Sequence, residues 1–324
     1  MSPMMTKRTL FVATSALAVV VATSSIAGGA VSPDYRLIDI GTLGGQSSYA
    51  TAINDRGDVV GSSETADGSY HGFLWRNGRL TDLGAVRPTD INDKGQIVGT
   101  LDTAPGLQAV LWSRGKVTDL GSLGGASDWP TAINDRGQVV GMATTASGRS
   151  APFLWTRGKM RKLNLDSVSE INNRGQVAGG RLLDTGGFHA SLWTRGEVTD
   201  LGAGPFDRSN TYGINNRGWV IGWMFSDQQY ERGVLWRGGT GTDVGTLGGN
   251  RTHLVSINDR GQILGTSTLD SGHERPVLWQ RGILIDLSTR GVDPDADLAD
   301  INTRGDIAAT IRPTWGSSRA AVYR

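Results

Sequence analysis

From residue 49 onward, apolar residues come in short runs rich in Val, Ile, Leu and Trp, each closed by a polar cluster that ends in glycine. The stretch Tyr49 to Ile53 reads as a strand, and Asn54-Asp55-Arg56-Gly57 as a tight hairpin turn. Asp58-Val59-Val60-Gly61 is then its partner. After a variable polar stretch, Ser62 to Tyr70, a third strand follows at His71-Gly72-Phe73-Leu74-Trp75. Arg76-Asn77-Gly78 makes a second turn, and Arg79 to Leu83 a fourth strand. No helix-period apolar stretch occurs after the first thirty residues, so the pattern predicts an all-β domain.

The unit repeats. Ile-Asn followed by a basic residue and glycine returns at Ile91, Ile133, Ile171, Ile214, Ile257 and Ile301, at intervals of 38, 42, 38, 43, 43 and 44 residues. Leu-Trp of the third strand returns at Trp112, Trp155, Trp193, Trp236 and Trp279, with Val322-Tyr323 in the last unit. Four strands at a period of about 40 residues is the arithmetic of a propeller blade, and the repeats predict a seven-bladed β-propeller of four-stranded blades. The ends decide for a closed ring over an open solenoid. The seventh unit stops at Arg324 without its fourth strand, and Tyr35 to Gly41 is a spare copy of that strand ahead of the first unit. The N-terminal strand is therefore expected to complete the last blade and leave no long bare sheet edge.

A Trp on the third strand of six units fills the gap between neighbouring sheets, and cutting it to Ala is expected to cost about 3–5 kcal/mol. Val59-Val60, Val139-Val140 and Val220-Ile221 serve the same packing. The Asp of Thr-Asp-Leu, as at Asp82 and Asp119, is expected to bond backbone at the blade edge.

The N-terminus differs from everything after it. Lys7 and Arg8 precede a mostly apolar run from Leu10 to Val21 and then the small and polar residues Ala22 to Ala30. This order predicts a secretory signal over residues 1–30 and a propeller over 31–324, the apolar run being shorter than the ~20 residues a membrane span needs. The chain has no cysteine, so the domain is held by its core. Without Lys7 and Arg8 the remainder carries 30 Lys+Arg against 31 Asp+Glu, so the charge gives no reason to expect nucleic acid as a partner and none is assigned.

The residues resemble the HAF family of extracellular repeats, named for His-Ala-Phe ahead of the Leu-Trp pair. His71-Gly72-Phe73-Leu74-Trp75 and His189-Ala190-Ser191-Leu192-Trp193 carry the likeness, with the Gly-Thr-Leu-Gly-Gly stretches at Gly41 and Gly245, and it covers residues 35 to 324. The resemblance implies secretion and a propeller-like array in bacteria, without an established activity. Gln108-Ala109-Val110, Ala151-Pro152-Phe153 and Arg275-Pro276-Val277 depart from the triplet, so the histidine is not an obligatory chemical group.

Candidate chemistry is sparse. Four histidines, His71, His189, His253 and His273, are dispersed, and no nucleophile elbow, zinc-protease motif or phosphate loop is present, so no catalytic residue is assigned. Calcium is a secondary expectation: Asp293, Asp295 and Asp297, with Asp300 close by, form the densest carboxylate cluster. Arg56-Gly57-Asp58 spells an adhesion tripeptide, but the basic residue and glycine recur in every unit and a turn explains it.

The informative position lies four residues before each Ile. It holds Tyr49, Arg87, Trp129, Ser167, Asn210, His253 and Asp297, all different, beside a motif that hardly changes. Of these, Tyr49, Arg87, Trp129, Asn210, His253 and Asp297 are assigned to ligand binding at the mouth of the central channel, on the face opposite the basic turns. The expectation is a secreted, monomeric binding or interaction module whose partner is an extracellular glycan, peptide or protein, with no membrane span after signal cleavage. The alternatives are a secreted propeller glycan hydrolase or lyase, which needs paired carboxylates at the mouth, and a structural surface repeat protein without a small ligand.

Overall fold

The computed structural model describes residues 35–104, 106–204, 208–225, 231–314 and 316–324. The signal segment read at residues 1–30 lies outside them. The described residues form seven four-stranded antiparallel blades. Blade 1 runs Gly44–Ile53, Val59–Thr65, Tyr70–Arg76 and Arg79–Asp82 from the channel outward. The inner strands of blades 2 to 6 are Arg87–Ile91, Gly124–Ile133, Ser167–Ile171, Arg208–Ile214 and Gly248–Ile257. Blades 4 and 5 are linked by one further parallel pair, Phe188 with Arg208.

Blade 7 closes the ring as the ends of the chain suggest. It contains Asp297–Ile301, Ile307–Thr314 and Ser317–Tyr323, and Leu37–Gly41 is its outer strand. Leu37 pairs with Tyr323 and Asp39 with Ala321, and backbone bonds run both ways between Arg36 and Arg324. Gly41 N donates to Asp39 Oδ1 at 2.8 Å, as Gly84 N does to Asp82 Oδ1 at 2.7 Å in blade 1. The same bond ends blades 2, 4 and 5, so the repeated Asp is a turn acceptor.

The core lies between blades. Ile53, Val59, Phe73 and Trp75 of blade 1 pack on Ile40, Ala308, Ala320 and Val322 of blade 7, and Ala52, Val60 and Leu74 pack on Val86, Ile91 and Ile97 of blade 2. Trp75, Trp193, Trp236 and Trp279 are buried, whereas Trp112 and Trp155 are only half-buried against their clusters.

Two details exceed the simple hairpin reading. The Gly-Gly stretches extend the inner strands of blades 1, 3 and 6 to 10 residues each, against 5 in blades 2, 4 and 7. Gly45 permits this, because a Cβ there would lie 2.5 Å from Glu64 Cγ. Every inner strand also shifts register two residues before its Ile, at Thr51 in blade 1. Plain alternation puts Tyr49 on the face of Ile53; the bulge puts it with Ala52 and Ser62 instead.

Candidate functional site

The seven Ile-Asn turns form one face of the ring. Asn54 Nδ2 donates to the Asn92 carbonyl of the next blade at 3.0 Å, and the step repeats through Asn134, Asn172, Asn215, Asn258 and Asn302 until Asn302 Nδ2 reaches the Asn54 carbonyl at 3.1 Å. Each Asn Oδ1 accepts two N–H groups of its own turn, at Arg56 and Asp58 in blade 1. Asparagine is needed because it both donates and accepts in one short side chain. A second circuit links the following residues, from Asp55 N to Asp93 Oδ1 and onward to Asp259. Thr303 N then donates to Asp55 Oδ1 at 2.7 Å.

These turns surround a channel opening of about 150 Å³ with Asp90, Glu170, Ser256 and Asp300 beneath them. The residue before each Ile is Ala52, Asp90, Ala132, Glu170, Gly213, Ser256 or Asp300, so an acid mostly alternates with a small residue. Each acid reaches the next blade's backbone beside the small residue: Asp90 accepts from Ile133 N at 2.7 Å, Glu170 from Ile214 N at 2.7 Å and Asp300 from Ile53 N at 3.0 Å. Ser256 Oγ donates to Asp300 Oδ1 at 2.6 Å. Burial pushes the Asp90 carboxyl up to about 7, with the Asp300 and Asp135 charges adding to it. It raises Glu170 well above the usual range, and Asp300 as well, against their N–H bonds. The three carboxyls satisfy inner-edge N–H groups that no further strand can pair.

On the opposite face the blades do not repeat each other. A cleft of about 660 Å³ opens between blades 6 and 7 and is lined by His253, His273, Glu274, Arg275, Asp297 and Arg312, with apolar patches at Val255, Pro294 and Leu298. His253 is held from behind. Its Nδ1 lies 2.8 Å from Glu231 Oε1 and 3.1 Å from the Tyr212 hydroxyl, which itself donates to Glu231 Oε1 at 2.9 Å. The Tyr212 ring meets the imidazole edge-on at 4.7 Å. Arg251 Nε donates to Glu231 Oε2 at 3.3 Å and Arg251 Nη1 lies 3.5 Å from Glu274 Oε1. Burial works to raise the Glu231 carboxyl, but His253, Tyr212 and Arg251 outweigh it and hold the group below its usual range. Burial and the Glu231 charge push the Tyr212 phenol up. With Nδ1 engaged, Nε2 of His253 is the ring atom left for a ligand, as when a carboxylate fixes an imidazole for binding or proton transfer.

The residues read from the sequence divide accordingly. His253 and Asp297 share the cleft. Ser167 Oγ donates to Asn210 Oδ1 at 3.4 Å, joining blades 4 and 5. Tyr49 stands beside Tyr70 of its own blade with ring centres 6.4 Å apart. Arg87 pairs with Asp102, also of its own blade. Trp129 is half-buried opposite Met142. Its neighbour Asp128 is 5% exposed with Oδ1 unpartnered, and burial, then Asp119, pushes that carboxyl up to about 6.

The acidic loop is not one cluster. Asp293 Oδ1 accepts from Asp295 N at 2.9 Å, Asp297 pairs with Arg312, and Asp300 belongs to the channel. Among the described residues no three His, Asp or Glu groups are placed to hold a metal together. His71 and His189 pair with Asp82 and Asp200 across neighbouring strands, at 3.0 and 2.9 Å. The adhesion-like tripeptide is not displayed, since Asp58 is buried and bound by Arg76 at 2.9 and 2.8 Å.

Glu231, Tyr212 and Glu170 escaped the sequence reading. Tyr212 had a signal: it is the one aromatic among Thr51, Thr89, Thr131, Ser169, Tyr212, Val255 and Ala299, two residues before each Ile. Glu231 had none, because it opens the third strand, Glu231–Arg237, just after the variable stretch, where no residue is common to the units. No helix among the described residues is long and apolar enough to cross a membrane.

Neither a protein-family model nor a curated protein sequence matches this chain. Solved structures do resemble it. The β-propeller domain of the Trilobed protease from Pyrococcus furiosus, described as having an open velcro topology, superposes with a TM-score of 0.62 at 9% identity, over 86% of this chain and 93% of its own. An acylaminoacyl peptidase from Pyrococcus horikoshii gives a TM-score of 0.54 at 12% identity, over 84% of this chain and 52% of its own. A puromycin-hydrolyzing peptidase from Mycobacterium tuberculosis gives 0.53 at 13% identity, over 85% of this chain and 49% of its own. This chain thus spans about half the length of the two peptidases. At these identities the likeness is one of fold, and the fold is a β-propeller.

Proposed function

We propose that this chain is a secreted binding module of the HAF-repeat kind, and that it takes a polar ligand, a glycan or a peptide, in the cleft between blades 6 and 7. The observation that carries the reading is His253, fixed by Glu231 and Tyr212 with Nε2 unengaged among the described residues, on the wall of a 660 Å³ cleft that also presents acidic and basic groups. A cleft with a few oriented polar groups among apolar patches suits a ligand rich in hydroxyls or amides. Pre-orientation of the imidazole lowers the entropy cost of binding it.

The test is thermal unfolding against chitin and glucan oligosaccharides and a muramyl dipeptide. A ligand at about a hundred times its Kd adds about 2.7 kcal/mol, and the midpoint rises accordingly. The shift should vanish in His253→Ala and persist in Tyr49→Ala; a shift that survives His253→Ala removes the cleft from the reading. The Glu231–His253 pair favours hydrolysis as a second reading, because a carboxylate-held imidazole is also a general base. Product release from the bound oligosaccharide, lost in Glu231→Gln, separates an enzyme from a binding module.

A further inference from the structure

We propose that the seam between blades 7 and 1 carries a second site, on the turn face, for the oxyanion of a compact ligand: a carboxylate, sulfate or phosphate. The seam holds a cleft of about 410 Å³ lined by Arg56, Trp75, Asn77, Arg304, Asp306 and Arg324. Three guanidinium groups stand there against one carboxylate.

That carboxylate is already crowded. Asp306 Oδ2 accepts from Arg304 Nε at 3.0 Å, Arg304 Nη2 at 2.5 Å and Asn302 Nδ2 at 3.0 Å, and Arg324 Nε lies 3.6 Å away. The Arg56 side chain has no hydrogen bond or ion pair among the described residues; the charge that senses it is Asp93 of the next blade. The guanidiniums converge on Arg56's own turn. A Cβ on Gly57 would lie 2.3 Å from Arg304 Nη2 and 2.9 Å from Arg324 Nη2, so both groups lie against the backbone next to Arg56.

A single guanidinium lies against the turn glycine elsewhere, Arg76 at Gly95 and Arg174 at Gly218; among the described residues, two at one turn occur at Gly57. The position of Arg324 is held by Ser113, Thr156, Thr194 and Gln280 in four other blades. Two blades have arginine there and use it internally: Arg76 grips Asp58 in a bidentate pair, and Arg237 stacks on Trp219 at 3.9 Å. Arg324 instead sits 5.4 Å over Trp75 and shares Asp306 with Arg304. Like charges gathered on a turn repel, and an oxyanion between them relieves the repulsion through charge-assisted bonds, for which arginine's fork is suited. The Asn77 side chain supplies a further polar group and Trp75 an apolar wall.

The test is calorimetric titration of the chain at low salt with glucuronate, glucose 6-sulfate and glucose 6-phosphate, and with glucose as the neutral control. At least one anion should bind while glucose does not, and the affinity should fall by about tenfold in Arg56→Gln and in Arg304→Gln and weaken with added NaCl. Binding by glucuronate alone identifies a carboxylate ligand, and binding by the sulfate or phosphate ester an ester ligand. Arg56→Gln removes an exposed, unpaired side chain and leaves the fold intact, so it keeps the test open where Arg304→Gln unfolds. His253→Ala should leave this binding unchanged, which separates the seam from the far-face cleft. Equal affinity in Arg56→Gln, or no anion binding below a Kd of about 10 mM, overturns the site.

Discussion

The two faces of this propeller treat the same repeat in opposite ways. On the turn face, seven asparagines hand hydrogen bonds from blade to blade until the circle closes on Asn54. Each has a donor and an acceptor role and no group to spare. On the far face the corresponding blade ends carry seven different residues with no common bonding scheme: Arg87 pairs with Asp102 and Asp297 with Arg312 inside one blade, whereas His253 reaches Glu231 and Ser167 reaches Asn210 across a blade boundary. A position that must bond its neighbours in a ring cannot vary, whereas one outside such a ring can. Uniformity here marks structure, and departure from it marks where spare chemistry is found. At the seam cleft on the turn face the two kinds of position meet: Arg56 and Arg304 belong to the turn position that is basic in every unit, and Arg324 to one where the blades differ.

The largest expected effect tests the closure on which both faces depend. Deleting residues 35–41 strips the outer strand from blade 7, removes the buried Ile40 and exposes the edge of Ser317–Tyr323. The expected outcome is loss of a single cooperative thermal transition; an unchanged melt would mean that the ring does not need its closing strand.

Next comes the contrast between faces. Asn215→Ala removes the donor to Asn258 and orphans the N–H groups of Arg217 and Trp219, at a cost of about 2–4 kcal/mol. His253→Ala should cost under about 1 kcal/mol, because its side chain is about a third exposed. Denaturant midpoints compare the two, and equal losses would erase the distinction drawn here.

Smaller than the loss expected for the asparagine ring is the effect of the channel acids. Their folded pKa values lie above those of the unfolded chain, so the native state binds more protons in the interval between. Their contribution is therefore greatest at acid pH and declines as pH rises from about 4 through the folded values, near 7 for Asp90. Glu170→Gln keeps an acceptor for Ile214 N and removes the charge, and should gain about 1–2 kcal/mol at pH 8 and close to none at pH 5. A melt series across that range checks it, and a loss of stability at pH 8 would show that the ionised carboxylate is preferred.

The sequence showed the blades clearly because each repeat states its own strands and turns, and a missing fourth strand at one end matches a spare one at the other. The position of the candidate site was less legible. Reading the residue four before each Ile picked out His253 and Asp297, which meet in one cleft, but also Tyr49 and Arg87, which pair within their own blades. The signal for the channel acids lay in plain view one residue before each Ile, yet the alternation of acid and small residues has meaning only once blades are neighbours.

By itself, then, the sequence determined the fold, the number of blades and the closing seam. These rest on local turn chemistry and on apolar positions that every unit repeats. Only the tertiary structure decided which side of the inner strand the variable residues face, since a one-residue bulge reverses the alternation. It also decided that His253 would be held by Glu231, that Asp300 would leave its acidic loop for the channel, and that Arg56, Arg304 and Arg324 would meet. Those partners come from different blades or distant strands, and their meeting depends on the angle and register of whole sheets rather than on any spacing along the chain.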